Sequence, residues 1–89
     1  MTWLAQRLKL WWLQRQANAA ILFKRLPEAV RAYREILEVD PRNELAGLML
    51  GNLLAEAGDR EGAVAQLEKL TVVNPSFADA WFNLGYLHD

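Results

Sequence analysis

Residues 29–41, AVRAYREILEVDP, and residues 63–75, AVAQLEKLTVVNP, are one pattern met twice, 34 residues apart. Each ends in a proline, Pro41 or Pro75, preceded by a turn-favouring residue, Asp40 or Asn74, which is how an amphipathic helix is closed. Within each stretch the apolar positions recur at steps of three and four: Ala29, Val30, Tyr33, Ile36 and Leu37 in one, Ala63, Val64, Leu67 and Leu70 in the other. That spacing places them on one face of a helix. A fixed period of this length marks a repeat architecture, in which each unit buries its apolar face only against its neighbours.

Working outward, the same shift sets Leu50-Gly51 on Leu84-Gly85, so each unit has two halves and each half is a helix. Between the halves of the complete unit stand Gly58 and Asp59, where glycine can end one helix in the left-handed conformation and aspartate can cap the next. Ser76 followed by Asp79 has the spacing of a capping box, with Asp in place of Glu. The reading is all-α, with helix-turn-helix repeats stacked in about two and a half units. It predicts a long N-terminal helix over 2–23, the second helix of the first unit over 27–39, a complete second unit over 44–73, and the first helix of a third over 77–88. Residues 1–89 form one repeat domain, expected to be the N-terminal part of a longer protein.

These residues resemble the tetratricopeptide repeat, whose first helix reads Trp-x-x-Leu-Gly-x-x-Tyr and whose second reads Ala-x-x-x-Phe before a proline. Trp81, Leu84 and Gly85 match the first helix, with His88 where tyrosine is usual. Ala63, Leu67 and Pro75 match the second, as do Ala29, Tyr33 and Pro41 one unit earlier. The first unit departs most, with Leu13, Gln16 and Ala17 at the Trp, Leu and Gly positions and Lys24-Arg25 in place of the Gly-Asp turn. The resemblance implies a right-handed α-solenoid whose concave face, lined by the first helix of each unit, holds peptides.

Composition agrees with a folded module. Hydrophobic residues are 53% and charged residues 24%, which argues against disorder, and the absence of cysteine leaves packing alone to hold the chain together. The net charge of −1 hides an asymmetry: the first 27 residues carry Arg7, Lys9, Arg15, Lys24 and Arg25 and no acid, while the rest carries −6. The apolar runs Leu10 to Leu13 and Leu45 to Leu54 fall short of the roughly 20 residues that span a bilayer, and the start lacks the pattern of a secretory signal. A cytoplasmic setting is expected.

Catalysis finds few ingredients here. With one serine, one histidine and no cysteine, Ser76 reads as a helix cap and His88 as the stand-in for a packing tyrosine, so no enzyme activity, metal or cofactor is expected. Gly47 and Gly51 read as sites of close helix approach rather than a membrane dimerisation motif. No nucleic-acid partner is expected, because the basic residues are not interleaved with aromatics on a binding platform.

The expected function is binding of a peptide or helix. By register, the groove face comprises Trp11, Gln14, Arg15 and Asn18 in the first unit, Leu45, Leu48, Met49 and Asn52 in the second, and Asp79, Phe82, Asn83 and Tyr86 in the third. Asn18 and Asn52 occupy equivalent positions, each suited to hydrogen-bonding a bound backbone beside apolar neighbours. Family members that clamp the carboxylate tail of heat-shock chaperones use Lys, Arg and Asn on this face. Here Gln14, Met49, Asp79 and Asn83 replace most of that set, which disfavours such a tail and favours an apolar or amphipathic segment.

Two features lie outside the groove. Trp81, Leu84 and their neighbours lack a following helix to cover them, so a homo-oligomer formed through this end is expected. Trp3, Leu4, Leu8, Trp11 and Trp12 with Arg7, Lys9 and Arg15 raise a rival reading, a membrane-surface adaptor; packing on the following hairpin or a second copy is the preferred one. A further alternative is the non-catalytic N-terminal segment of a larger enzyme such as a glycosyltransferase.

Overall fold

A computed structural model describes residues 2–88, with side chains through residue 87. Its elements are five helices: α1 (Thr2–Leu22), α2 (Leu26–Val39), α3 (Glu44–Glu56), α4 (Arg60–Val73) and α5 (Ala78–His88). Each helix packs chiefly on the next in sequence, so the chain is a string of helical hairpins, the all-α repeat solenoid that the 34-residue period predicts. The reading of His88 as a stand-in for a packing tyrosine falls on a side chain outside the described set.

The repeat extends to backbone angles. Asp40 and Asn74 end α2 and α4 at φ −133°, ψ 80° and φ −135°, ψ 78°, and their N–H groups donate to Ile36 O and Leu70 O, each at 2.8 Å. Two residues with different side chains thus adopt one conformation, because the proline that follows disfavours the helical region for both. α3 then opens with Asn43, whose Oδ1 accepts from Ala46 N–H at 2.9 Å. The equivalent position before α5 is Phe77, which has no side-chain acceptor. The expected cap from Ser76 is therefore displaced: α5 begins at Ala78, and the serine stands one residue too early.

The turn inside each hairpin is also shared. Gly58 has φ +89°, its N–H donates to Ala55 O at 3.1 Å, and Asp59 N–H donates to Leu54 O at 2.9 Å, satisfying two carbonyls left over at the end of α3. In the first hairpin Lys24 takes the left-handed position at φ 57°, with Lys24 N–H to Ile21 O at 3.1 Å and Arg25 N–H to Ala20 O at 2.7 Å. A lysine pays a steric penalty there that glycine does not. Asp59 Oδ1 also accepts from Gly62 N–H at 2.9 Å to cap α4, whereas Arg25 gives α2 no side-chain cap.

Alternate faces of the helices feed one core, from Leu13, Ala17 and Ala20 of α1 through Ala29, Tyr33 and Ile36 of α2 to Ala46, Leu50, Leu53 and Leu54 of α3. Ile36, Leu50 and Leu67 are the largest side chains buried completely. Within the second hairpin α3 and α4 meet at glycine: a Cβ on Gly51 would lie 2.8 Å from Leu67 Cγ and Cδ2, and one on Gly47 would lie 3.0 Å from Leu70 Cδ1. At Gly85, one unit on from Gly51, a Cβ would meet nothing within 4 Å.

Opposite signs are therefore expected at equivalent positions. Gly51→Val should destabilise by about 2 kcal/mol through overpacking against a buried leucine, lowering the melting temperature by roughly 10 °C. Gly85→Ala should instead stabilise by about 0.5–1 kcal/mol, the helix-propensity difference. In the first hairpin, Lys24→Gly combined with Arg25→Asp should install the turn and cap of the second, raising stability by about 1–2 kcal/mol. Thermal unfolding followed by circular dichroism reads all three.

Candidate peptide-binding groove

Three helices, α1, α3 and α5, present the positions that sequence register assigns to the groove. Their opposite sides are committed to packing: Leu13 and Ala17 on α1, Leu50 and Leu54 on α3, and Ala80 and Leu84 on α5 are all buried. With one side fixed, the 3.6-residue period leaves the assigned positions facing outward. Trp11 is 59% exposed, Leu45 58%, Phe82 74% and Tyr86 75%, while Leu48 and Met49 are half-buried, Met49 leaning on the core. These are large apolar groups for solvent-facing positions.

The four amide side chains on this face are paired with one another. Asn83 Nδ2 donates to Asn52 Oδ1 at 2.9 Å, a bond that joins α5 to α3 across the unit boundary. On α1, Gln14 Nε2 donates to Asn18 Oδ1, also at 2.9 Å and one helical turn apart. Asn18 and Asn52, equivalent by the repeat, thus each accept through Oδ1 from a neighbouring amide. The Arg15 guanidinium lies 5.1 Å from the centre of the Trp11 ring, which holds that charge at the edge of the face. Asp79, exposed at the first turn of α5, is the acid among the assigned residues.

The Asn52–Asn83 bond was not assigned from sequence. Register places both asparagines on the face, but their meeting depends on how α3 and α5 cross. The stripe also continues beyond the repeat: Trp3 (66% exposed), Leu4 (56%) and Leu8 (60%) stand free in the structure. Of the two coverings expected, the following hairpin does not supply one, because α1 begins eight residues before the position equivalent to the start of α3, where α2 no longer runs alongside; a second copy remains the other. The signal was present in Gln6, which continues the α2-facing line of Leu10 and Leu13 but is polar.

A separate open cavity of about 380 Å³ lies between α1 and α2, lined by residues including Gln16, Phe23, Arg25, Glu28 and Arg31. It is not part of the groove. Gln16 and Ala19 there are equivalent to Leu50 and Leu53 of α3, which bury where α3 meets its neighbours, whereas on α1 both are exposed.

Such a succession of hairpins defines a helical-repeat protein, and comparison with known proteins names the repeat. Residues 51–88 match the family model described as "TPR repeat". Over 73 residues the chain is 30% identical to the heat-shock protein cognate co-chaperone sgt12 of Aspergillus fumigatus, covering 82% of this chain and 21% of that protein. Among solved structures, MamA superposes with a TM-score of 0.80 at 25% identity, covering 89% of this chain and 43% of that one. The Sgt2 TPR domain from Aspergillus fumigatus superposes at 0.75 with 29% identity, covering 84% and 50%. The fold of the TPR2B domain of yeast Sti1, solved as a complex with pHsp70, matches at 0.79 with 20% identity, covering 90% and 64%. The chain belongs to the tetratricopeptide-repeat family, and it spans about a fifth of the curated relative and about two-fifths to two-thirds of these solved chains.

The amide bond between α3 and α5 should be measurable as a coupling. A double-mutant cycle on Asn52→Ala and Asn83→Ala, read by thermal unfolding, is expected to return about 0.5 kcal/mol, the low end for an exposed neutral hydrogen bond. A coupling of zero would mean that the two helices are not joined through these side chains in solution.

Proposed function

We propose that the face formed by α1, α3 and α5 binds an apolar or amphipathic segment of another polypeptide, and that the chain acts as a non-catalytic interaction scaffold. The observation that carries this reading is the contrast within α3 and α5: one side is packed, while the other keeps Leu45, Phe82 and Tyr86 exposed around the paired amides of Asn52 and Asn83. An apolar surface with a few placed amides suits a ligand that brings its own apolar side chains and unpaired backbone groups. The Sti1 domain, whose fold this chain shares, was solved in complex with pHsp70, and the matching sgt12 is a co-chaperone. Both support a polypeptide ligand. The groove here differs from a basic clamp for a carboxylate tail, since Gln14, Met49, Asp79 and Asn83 supply no positive charge.

Self-association belongs to the same proposal. Trp81 is 52% exposed even though its Nε1 donates to Pro75 O at 2.7 Å, and Gly85 beside it has open space, so a second copy can seat against this side of α5.

The test is a peptide selected from a displayed library on the wild-type chain. Its affinity should fall at least tenfold, about 1.4 kcal/mol, when Met49→Ala is combined with Asn52→Ala in a variant whose circular dichroism is unchanged. Unaltered affinity in that folded variant sinks the groove reading. Light scattering over a range of concentrations addresses the second copy separately, with a dimer expected and a mass that stays monomeric throughout counting against it.

A further inference from the structure

The proposed groove does not account for the first two turns of α1. Residues 2–9 have no counterpart in α3, and the segment has its own amphipathic order, distinct from that of the hairpin it leads into. At about 100° per residue, Thr2, Gln6 and Lys9 fall on the side that continues toward α2, where Leu10 and Leu13 take over as packing residues. Trp3, Leu4, Leu8, Trp11 and Trp12 spread over about half the circumference on the other side. Each of these five is more than half exposed. The apolar face of the overhang therefore points away from the domain's own core.

Two indole–guanidinium pairs are built into this face. Arg7 lies 4.9 Å from the centre of the Trp3 ring and Arg15 lies 5.1 Å from that of Trp11, so the same four-residue spacing is used twice, eight residues apart. Each pair sets a cation beside an aromatic ring that is apolar over its body and polar at its N–H. Lys9 adds a third positive charge on the other side of the helix, and no acidic residue occurs before Glu28 to oppose them.

From this arrangement we infer that the overhang of α1 is a docking surface for an anionic lipid bilayer. Tryptophan, leucine and basic residues on a helix that lies in the interface plane bury the rings at the boundary between headgroups and acyl chains, while the cations meet lipid phosphate and carboxylate. Charge and shape select this occupant over the others. A second copy docking α1 against α1 on this face would bring Arg7 and Arg15 against like charges. A partner helix covers a stripe of about 100°, narrower than the arc from Trp3 to Trp12. A bilayer surface is broad and negative, and so matches both. The inference shares Trp11 and Arg15 with the groove reading, but Trp3, Leu4, Arg7 and Leu8 belong to the overhang alone and carry the test.

Co-sedimentation with two kinds of vesicle tests it, one of phosphatidylcholine alone and one in which part is replaced by phosphatidylserine, with tryptophan emission recorded in parallel. The chain should sediment with the anionic vesicles, its emission should shift to the blue, and both effects should weaken as salt is raised. Arg7→Glu with Lys9→Glu should lower partitioning at least tenfold, given about fivefold per basic residue removed near such a surface. Trp3→Ser with Leu8→Ser should do likewise while helical circular dichroism is retained, since neither side chain belongs to the core. Met49→Ala with Asn52→Ala should leave vesicle binding unchanged, which separates this inference from the groove. Sedimentation with neither kind of vesicle, or equally with both, overturns it. So does a dimer, seen by light scattering, that dissociates in the Trp3→Ser/Leu8→Ser variant, because a second copy would then be what covers this face.

Discussion

Everything above the level of a single helix depends on how closely the two helices of a hairpin can approach. In the second hairpin that approach is set where Gly51 meets Leu67 and Gly47 meets Leu70: the glycines supply space on α3, and the leucines, both buried, fill it from α4. Close packing of this kind is where most of the stability of a short helix arises, since helices of 13 and 14 residues are marginal alone. Once the hairpin is closed, the direction of every other side chain on α3 follows. Leu50 and Leu53 bury, and Leu45 and Asn52 cannot.

The same constraint explains which parts of the fold were legible in the sequence. Proline fixes the conformation of the residue before it, so Asp40 and Asn74 announce the period and are found at almost the same φ and ψ. Gly58 and Asp59 announce their turn because each residue type suits its position. Lys24 and Arg25 announce nothing of the kind. Their turn forms because the hairpin on either side of it, with Leu13, Ala17 and Ala20 against Ala29, Ala32 and Tyr33, is buried strongly enough to impose a left-handed backbone on a lysine. Phe77 is a second case in which tertiary structure prevails over a local signal: α5 begins where the repeat requires it, although Ser76 offers a better capping residue one position earlier.

For the candidate site, register alone was enough to select outward-facing positions, because a fixed packing side determines the free one. It could not supply relations between helices. The bond from Asn83 to Asn52 joins residues 31 apart and depends on the crossing of α3 and α5, a quantity that no periodicity contains. The length of α1 was legible, but whether its first apolar residues pack on the following hairpin was not, for a related reason. Apolar residues at helical spacing are usually core, and the deciding fact is the length of the neighbouring helix. α2 has 14 residues to the 21 of α1, so the first turns of α1 extend past the end of their partner.

The chemistry of α1 separates two kinds of surface that exposure alone would confuse. On its edge, Gln16 stands where α3 has the fully buried Leu50, and a glutamine at such a position is at ease in water. A few residues earlier the helix places tryptophan and leucine in equally open positions, with arginines stacked on two of the rings. Had the whole outer surface of α1 been shaped for solvent, the substitution seen at Gln16 would be expected at Trp3, Leu4 and Leu8 as well. Its restriction to the edge separates a side of α1 that is polar where water suffices from one on which Trp3, Leu4, Leu8 and Trp11 stand exposed, with Arg7 and Arg15 set among them. Several large apolar side chains exposed together on one helix, with cations beside two of their rings, are the usual mark of a surface that meets something other than water.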